Sequence, residues 1–363
     1  MKAISSNLKL FFRSGTLNRD ISNSLKQNNF DLLRLVFASM VVLFHLSILS
    51  ESPQLSWLSR NISATFAVQA FFFVSGFLVM MSCERSSSLT SYFSKRIRRI
   101  APAYIVVVVG AAILLVSISR LTIPSYFADP GWRSYLFFNL LLSNFTAPSL
   151  PGVFSTNPVT AVNASLWTIK IEVAFYFAVP LILWLIRRFE YKAVLISLFT
   201  ISLVWKASFH LAFDYTGIEL YSRLAKQLPG QIAFFMGGAL AYFRTRAGLP
   251  PPPIWLVALA ILFYSQLDGL FFEISAPFAV TVIVYWLSIE VPKITDIGKR
   301  GDFSYGIYLY HFPIIQLFVS KKFFGLNLMW ASAFIISIVL ILSFASWFLI
   351  ESRFLHNRSG LKV

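Results

Sequence analysis

The sequence predicts an all-α fold, a polytopic transmembrane helical bundle of about ten spanning helices with both termini in the cytoplasm. Three observations predict it. The 363 residues are 57% hydrophobic and 17% aromatic, and only 13% are charged, where a soluble domain carries about 25%. Apolar runs of bilayer length recur from end to end. The basic residues also sort by side when the connections are numbered alternately. One side holds Lys2, Lys9, Arg13, Arg19 and Lys26, then Arg85, Lys95, Arg96, Arg98, Arg99 and most of the remainder. The other holds Arg60, Arg120, Arg133, Lys206, Arg223, Lys226, Lys321 and Lys322. That asymmetry puts the N-terminal side in the cytoplasm. The net charge of +16 is therefore a topology signal and not a nucleic-acid footprint.

The apolar spans read 30–50, 62–82, 101–119, 166–186, 193–210, 229–243, 254–268, 273–289, 303–320 and 328–350. Residues 1–29 are polar, without a signal-peptide apolar core, and read as a cytoplasmic tail. The membrane domain is 30–350, and 351–363 is a second cytoplasmic tail.

The first span carries the most informative pair, Arg34 and His45. Eleven residues make about three turns, so both project from one helix face, roughly 16 Å apart along the axis. Ionisable groups at such depth are costly to hold and face a bundle interior or a water-filled cavity. Asp31 and Arg34 are spaced i,i+3 and can pair. The second span holds Ser75 and Gly76. Before the third, Lys95-Arg-Ile-Arg-Arg99 places four cations within five residues, with Pro102 in the expected first turn. The cluster reads either as a stop-transfer anchor or as an anion site at a helix N-terminus.

The stretch 120–165 is expected outside the membrane. It is rich in Ser, Pro and Asn, includes an apolar patch from Tyr135 to Leu142, and is a candidate lid or a plain surface loop. The fourth span then carries Glu172, about six residues or roughly 9 Å below its outer end, while His45 lies about 7 Å from the outer end of its own span. Similar depth is the geometric condition for an imidazole–carboxylate couple, which is what a general base requires. Lys170 is nearer the surface and snorkels. The next four spans carry no assigned chemistry, and Pro250 to Pro253 is a rigid turn between two of them. His311, in the ninth span, lies nearer mid-membrane. Cys83 is the sole cysteine, so there is no disulfide or thiolate cluster, and it reads as a small buried hydrophobe.

The residues alone thus describe an acid–base couple near the outer leaflet and a basic cluster at the cytoplasmic mouth. A channel along the Arg34–His45 face would join them, letting an anionic donor bound inside reach a centre facing outward.

Five motifs carry a resemblance. They are Phe30-Asp-Leu-Leu-Arg34 followed by His45, Phe71-Phe-Phe-Val-Ser-Gly-Phe-Leu78, and Arg96-x-x-Arg99-Ile-x-Pro-x-Tyr104. The last two are Ser165-Leu-Trp-Thr-x-x-x-Glu172-x-x-Phe-Tyr and Ser304-Tyr-x-x-Tyr-Leu-x-His311-x-Pro313. In this order the chain resembles the type-3 membrane acyltransferase family, integral-membrane O-acyltransferases of bacterial envelope polysaccharides. One departure is Lys170, where the family pattern suggests a small or apolar residue.

The resemblance implies no tightly bound cofactor and no metal, but acyl-coenzyme A (most often acetyl-CoA) as co-substrate. It implies a carbohydrate hydroxyl as acceptor, and the bacterial inner membrane as the location. His45, Glu172 and Arg34 become the candidate catalytic residues. Arg96, Arg99, Asp31, Ser75, Gly76, Trp167, His311 and Tyr305 become the candidates for donor and substrate. His45 would act as base or as transient acyl carrier, with Glu172 steadying its charged form. The competing class is a secondary transporter of a small anionic or sugar-like substrate, which also buries ionisable groups. No matching pair of broken helices supports it.

Overall fold

In this computed structural model the described residues are 28–325 and 327–355. The two expected tails lie outside them, except for residues 28, 29 and 351–355. All regular structure among the described residues is helical, with no strand among them. Eleven helices of more than seven residues follow one another. They are α1 Phe30–Ser50, α2 Ala64–Glu84, α3 Leu89–Leu114, α4 Pro130–Leu140, α5 Trp167–Arg188 and α6 Tyr191–Thr216. Then come α7 Leu228–Arg246, α8 Ile254–Gln266, α9 Gly269–Tyr285, α10 Ser304–Ser320 and α11 Leu328–Ser346.

Local signals set the ends. Asn28 Oδ1 accepts from the Phe30 amide, starting α1, and Asp31 in the first turn suits the positive end of the helix dipole. Ser63 starts α2 and Ser88 starts α3 in the same way. Glu190 caps α6, which ends on Gly217 in the left-handed region at φ +66°. Asn327 accepts from the Met329 and Trp330 amides at the head of α11.

Every expected span is a helix, but only seven are long and apolar enough to cross a bilayer: α1, α2, α3, α5, α6, α9 and α11, some with their flanking turns. The other three differ for visible reasons. Helix α8 has 13 residues and α10 has 17, short of the ~20 needed to span. Helix α7 has 19 residues but includes Gln231, Arg244, Arg246 and three glycines.

Two further differences bear on the site. Helix α3 begins at Leu89, not near 101, so Lys95 to Arg99 occupy its second and third turns and Pro102 lies within it. The basic cluster is therefore not at a helix N-terminus, and that form of the anion-site expectation is corrected. Lys and Arg are good helix formers, and the Ser88 cap sets the start upstream. Helix α6 continues past 210 to Thr216, and Lys206, counted above with the outer connections, lies inside the helix, buried and paired with Glu273 of α9.

The chain divides into two compact units. The first comprises residues 28–34, 68–94 and 171–296 of the described chain. In it α6 packs on α7 and α9, and α8 packs on α9. Its core contains Phe72, Phe73, Phe77, Phe175, Phe234 and Phe235, with Phe175 and Phe235 stacked at 4.2 Å between ring centroids. The second unit comprises 35–67, 95–170 and 297–355. There α10 packs on α11, around a core of Leu46, Leu49, Leu55, Leu58, Phe312, Ile315 and Ile335. Many large apolar side chains point outward, among them Phe177, Ile196, Phe278 and Ile341. A surface of that kind suits lipid and is rare on a soluble monomer. Cys83 is buried, as its composition suggested.

Candidate active site

In the second unit the site is built on two imidazoles. His45 lies on α1 and His311 on α10, and His311 Nε2 is 3.1 Å from His45 Nδ1. The ring centroids are 5.1 Å apart. Phe312 closes on His45 edge-on at 5.2 Å, and behind it lies the apolar cluster of Leu46, Leu49 and Ile315. His311 is completely buried, whereas His45 is partly open. His311 Nδ1 in turn lies 2.8 Å from the carbonyl of Tyr308 in its own helix.

The turn of α10 that carries His311 is fixed by the segment leading into α5. Pro313 has no N–H, so the carbonyl of Leu309 has no donor four residues on. Asn163 Nδ2 supplies one at 2.9 Å. The Tyr308 hydroxyl donates to the carbonyl of Ser165 at 3.1 Å and lies 2.7 Å from Thr168 Oγ1. Further along, Gln316 Nε2 donates to the carbonyls of Val159 and Ala161 at 2.5 and 2.9 Å, and Asn157 Nδ2 donates to Gln316 Oε1 at 2.8 Å. Trp167 is the first residue of α5, directly after this segment.

The rest of the expected lid is also fastened. It holds α4 and a short helix at Ile123–Ala128. Asn139 Nδ2 donates to the carbonyl of Ala147 and Ser119 Oγ to that of Pro151, at 2.9 and 2.8 Å. The Tyr126 hydroxyl donates to the carbonyl of Ala112 at 2.9 Å, and burial pushes this phenol up to about 12, so it remains a donor. Lys170 sits with its ammonium 4.6 Å from the centre of the Phe145 ring.

Also in the second unit, Arg99 is clamped between carboxylates. It pairs with Asp302 at the head of α10 and with Glu351 at 3.2 Å. Glu351 sits on a π-helical turn, Trp347–Glu351, that follows α11. The Tyr305 ring lies 5.3 Å from the guanidinium carbon, and its hydroxyl donates to the carbonyl of Ile100. Arg96 is one turn earlier on α3, and half-buried.

In the first unit, Ser75 Oγ donates to Glu172 Oε1 at 2.5 Å, joining α2 to α5. Next to Ser75, the backbone of α2 meets α7 with almost nothing between. A Cβ on Gly76 would sit 2.0 Å from the carbonyl oxygen of Phe235, and one on Gly238 would sit 1.9 Å from that of Phe73. The close helix approach expected at Gly76 is thus present. Asp31 and Arg34 form their i,i+3 ion pair on α1. The couple expected between His45 and Glu172 joins residues of different units, and each has a partner within its own: His311 for His45 and Ser75 for Glu172.

The family model described as "Acyltransferase domain" matches residues 27–350, nearly the whole chain. The chain belongs to the type-3 acyltransferase family. It is 27% identical over 347 residues to a protein named O-acetyl transferase from Shigella phage Sf6, covering 93% of this chain and 98% of that one. It is 27% identical over 361 residues to Nodulation protein 10 from Rhizobium leguminosarum bv. viciae, covering 92% and 95%. It is 25% identical over 323 residues to a putative acetyltransferase, ORF330, of Acidianus two-tailed virus, covering 83% and 88%. No solved structure matches.

Within this acyltransferase, sequence reasoning missed Asn163, Asn157, Gln316, Asp302 and Glu351. One signal was available. A proline inside an apolar helix leaves the carbonyl four residues earlier in need of a donor, though the sequence does not single out Asn163 to supply it. The acidic partners of Arg99 gave no such signal, being 203 and 252 residues away.

Proposed function

We propose that this acyltransferase moves an acyl group, acetyl in the first instance, from acyl-coenzyme A to a hydroxyl of an envelope or exported carbohydrate in the bacterial cytoplasmic membrane. The observation that carries the reading is the His45–His311 pair. It gives an acyltransferase chain a partly open imidazole backed by a buried polar partner, on the helix that also bears Arg34. The relatives named O-acetyl transferase and acetyltransferase favour acetyl as the group moved.

His45 takes the proton of the acceptor hydroxyl as its oxygen attacks the thioester carbonyl. The C–S bond breaks, the new C–O ester bond forms, and the proton on His45 passes to the departing thiolate. The atoms balance without a further reactant. The donor's phosphates call for cations, and Arg34 and Arg96 are the arginines proposed for them. Asp31 holds Arg34 in place for that role.

The test is acyl transfer from radiolabelled acetyl-CoA into envelope polysaccharide by membranes carrying the wild type or His45→Ala. Label incorporated by the wild type and lost in the variant, at equal protein in the membrane, supports the reading. Equal labelling in both removes His45 from the chemistry.

A further inference from the structure

Two contacts fix where the hydrogens lie along the chain Tyr308–His311–His45. The Tyr308 carbonyl accepts and cannot donate. His311 Nδ1, 2.8 Å from it, must therefore carry a hydrogen. A neutral imidazole carries only one. A second would place a charge on a ring with no exposed surface, whose partners are a backbone carbonyl and another imidazole, neither of them an anion, a costly arrangement. So His311 Nε2 is a bare acceptor. His45 Nδ1 lies 3.1 Å from it, and the contact is a hydrogen bond only if His45 Nδ1 is the donor. That uses the one hydrogen of a neutral His45 and leaves its Nε2 as a lone pair. The Val41 carbonyl, four residues earlier on α1, also accepts from the His45 ring, and like any carbonyl it can only accept.

We infer that His311 is the positioning residue for His45: it holds His45 as the Nδ1–H tautomer and so turns Nε2 into the proton acceptor. This rests on the reading of His45 as the base. An imidazole with a hydrogen on Nε2 would present a donor to the acceptor hydroxyl and could not take its proton. When Nε2 does take the proton, the Nδ1–H bond to His311 becomes charge-assisted and shortens the path to the charged intermediate. His311 thereby does with a neutral ring what a carboxylate does for histidine in other acid–base pairs. The backbone arrangement around it serves the same end. Asn163 on the Leu309 carbonyl and the Tyr308 hydroxyl on Ser165 hold the turn whose carbonyl orients His311.

Two variants and one spectrum test it. His311→Gln offers an amide oxygen near the place of Nε2 and can still accept from His45 Nδ1. His311→Leu fills similar space and accepts nothing. We expect kcat to fall at least about tenfold in the Leu variant, the loss of one hydrogen bond to a group that becomes charged, with the KM for acetyl-CoA unchanged. The Gln variant should recover most of that loss. The chain has four histidines, so ¹⁵N-histidine spectra of the membrane-embedded protein can be assigned by single replacements, and His45 should show a protonated Nδ1 and a bare Nε2 in the wild type. A protonated Nε2 on His45, equal losses in the Gln and Leu variants, or a raised donor KM as the main effect would each overturn the inference. The spectrum needs no activity. Full transfer by His45→Ala would therefore sink the base reading on its own evidence, while the tautomer is decided separately.

Discussion

Asn163 and Leu309 are joined by a side-chain bond that a proline makes necessary. Pro313 cannot donate to the Leu309 carbonyl, and Asn163 Nδ2 does so at 2.9 Å from a buried position. Its other end is also engaged, since Asn163 Oδ1 accepts from the Ser165 amide and hydroxyl at 3.2 and 2.6 Å. Asn163→Asp keeps the acceptor and removes the donor, leaving a buried carbonyl unpaired. The expected cost is about 1–3 kcal/mol, read as a lower melting temperature in detergent and a slower transfer. Pro313→Ala returns an N–H to the helix, so in that background the same change should cost less. Additive losses in the double variant would show that the two residues are not coupled.

Gly76 and Gly238 should tolerate no side chain. Gly76→Ala would place a methyl 2.0 Å from a backbone oxygen, and neither helix can yield by moving a flexible side chain. Overpacking of that kind costs typically ~1–3 kcal/mol, occasionally more, and here the obstacle is backbone. The expected result is a sharp fall in the amount of folded protein recovered from membranes for either Gly→Ala change. Gly110 is the control, because nothing lies within 4 Å of a Cβ there. Equal recovery of all three variants would contradict the close approach.

These residues show what the sequence could and could not say. Helix α1 was legible to the residue because its apolar run is uninterrupted between a polar start and Glu51-Ser-Pro53. Gly76 was legible as a close approach because a glycine inside an apolar helix has few other uses. The start of α3 was not, since Lys95 to Arg99 break the hydropathy but not the helix, and the Ser88 cap is a weak mark. The partners of His45 and Arg99 were not, since each comes from residue 302 or beyond and hydropathy carries no record of which helices meet. Pro313 leaves a carbonyl unpaired by its chemistry alone, but nothing in the sequence names the amide that answers it.

Ser75 should matter through Glu172. Its hydroxyl donates to a half-buried carboxylate, and hydrogen bonds to charged groups contribute ~1.5–3 kcal/mol. Ser75→Ala is expected to destabilise the protein within that range, while Ser75→Thr keeps the donor and should lie much closer to the wild type. Thermal melts of the two side by side decide it. If both lose equally, space beside Gly76 governs the position and the hydrogen bond does not.

Arg99 is the residue for which the sequence and the structure suggest different outcomes. As one of four cations beside a membrane helix it was expected to hold donor phosphates, yet its guanidinium is engaged by Asp302 and by Glu351, whose side chain is 1% exposed. Ser346 Oγ donates to the same Glu351 at 3.0 Å, and Ser304 Oγ donates to Asp302 at 2.5 Å, so the carboxylates are themselves held in place. Removing the cation leaves two carboxyl groups facing each other in a site with little water, and breaking a buried pair in this way costs about 3–5 kcal/mol. Arg99→Met should therefore lower the melting temperature and the membrane content of the protein. Adding Glu351→Gln should restore part of both, because one of the two stranded carboxyls is gone. A donor-binding arginine predicts the reverse order: normal stability, a raised KM for acetyl-CoA, and no rescue by Glu351→Gln. The rescue separates the two, because a lost phosphate contact cannot be repaired by neutralising a carboxylate that never touched the donor.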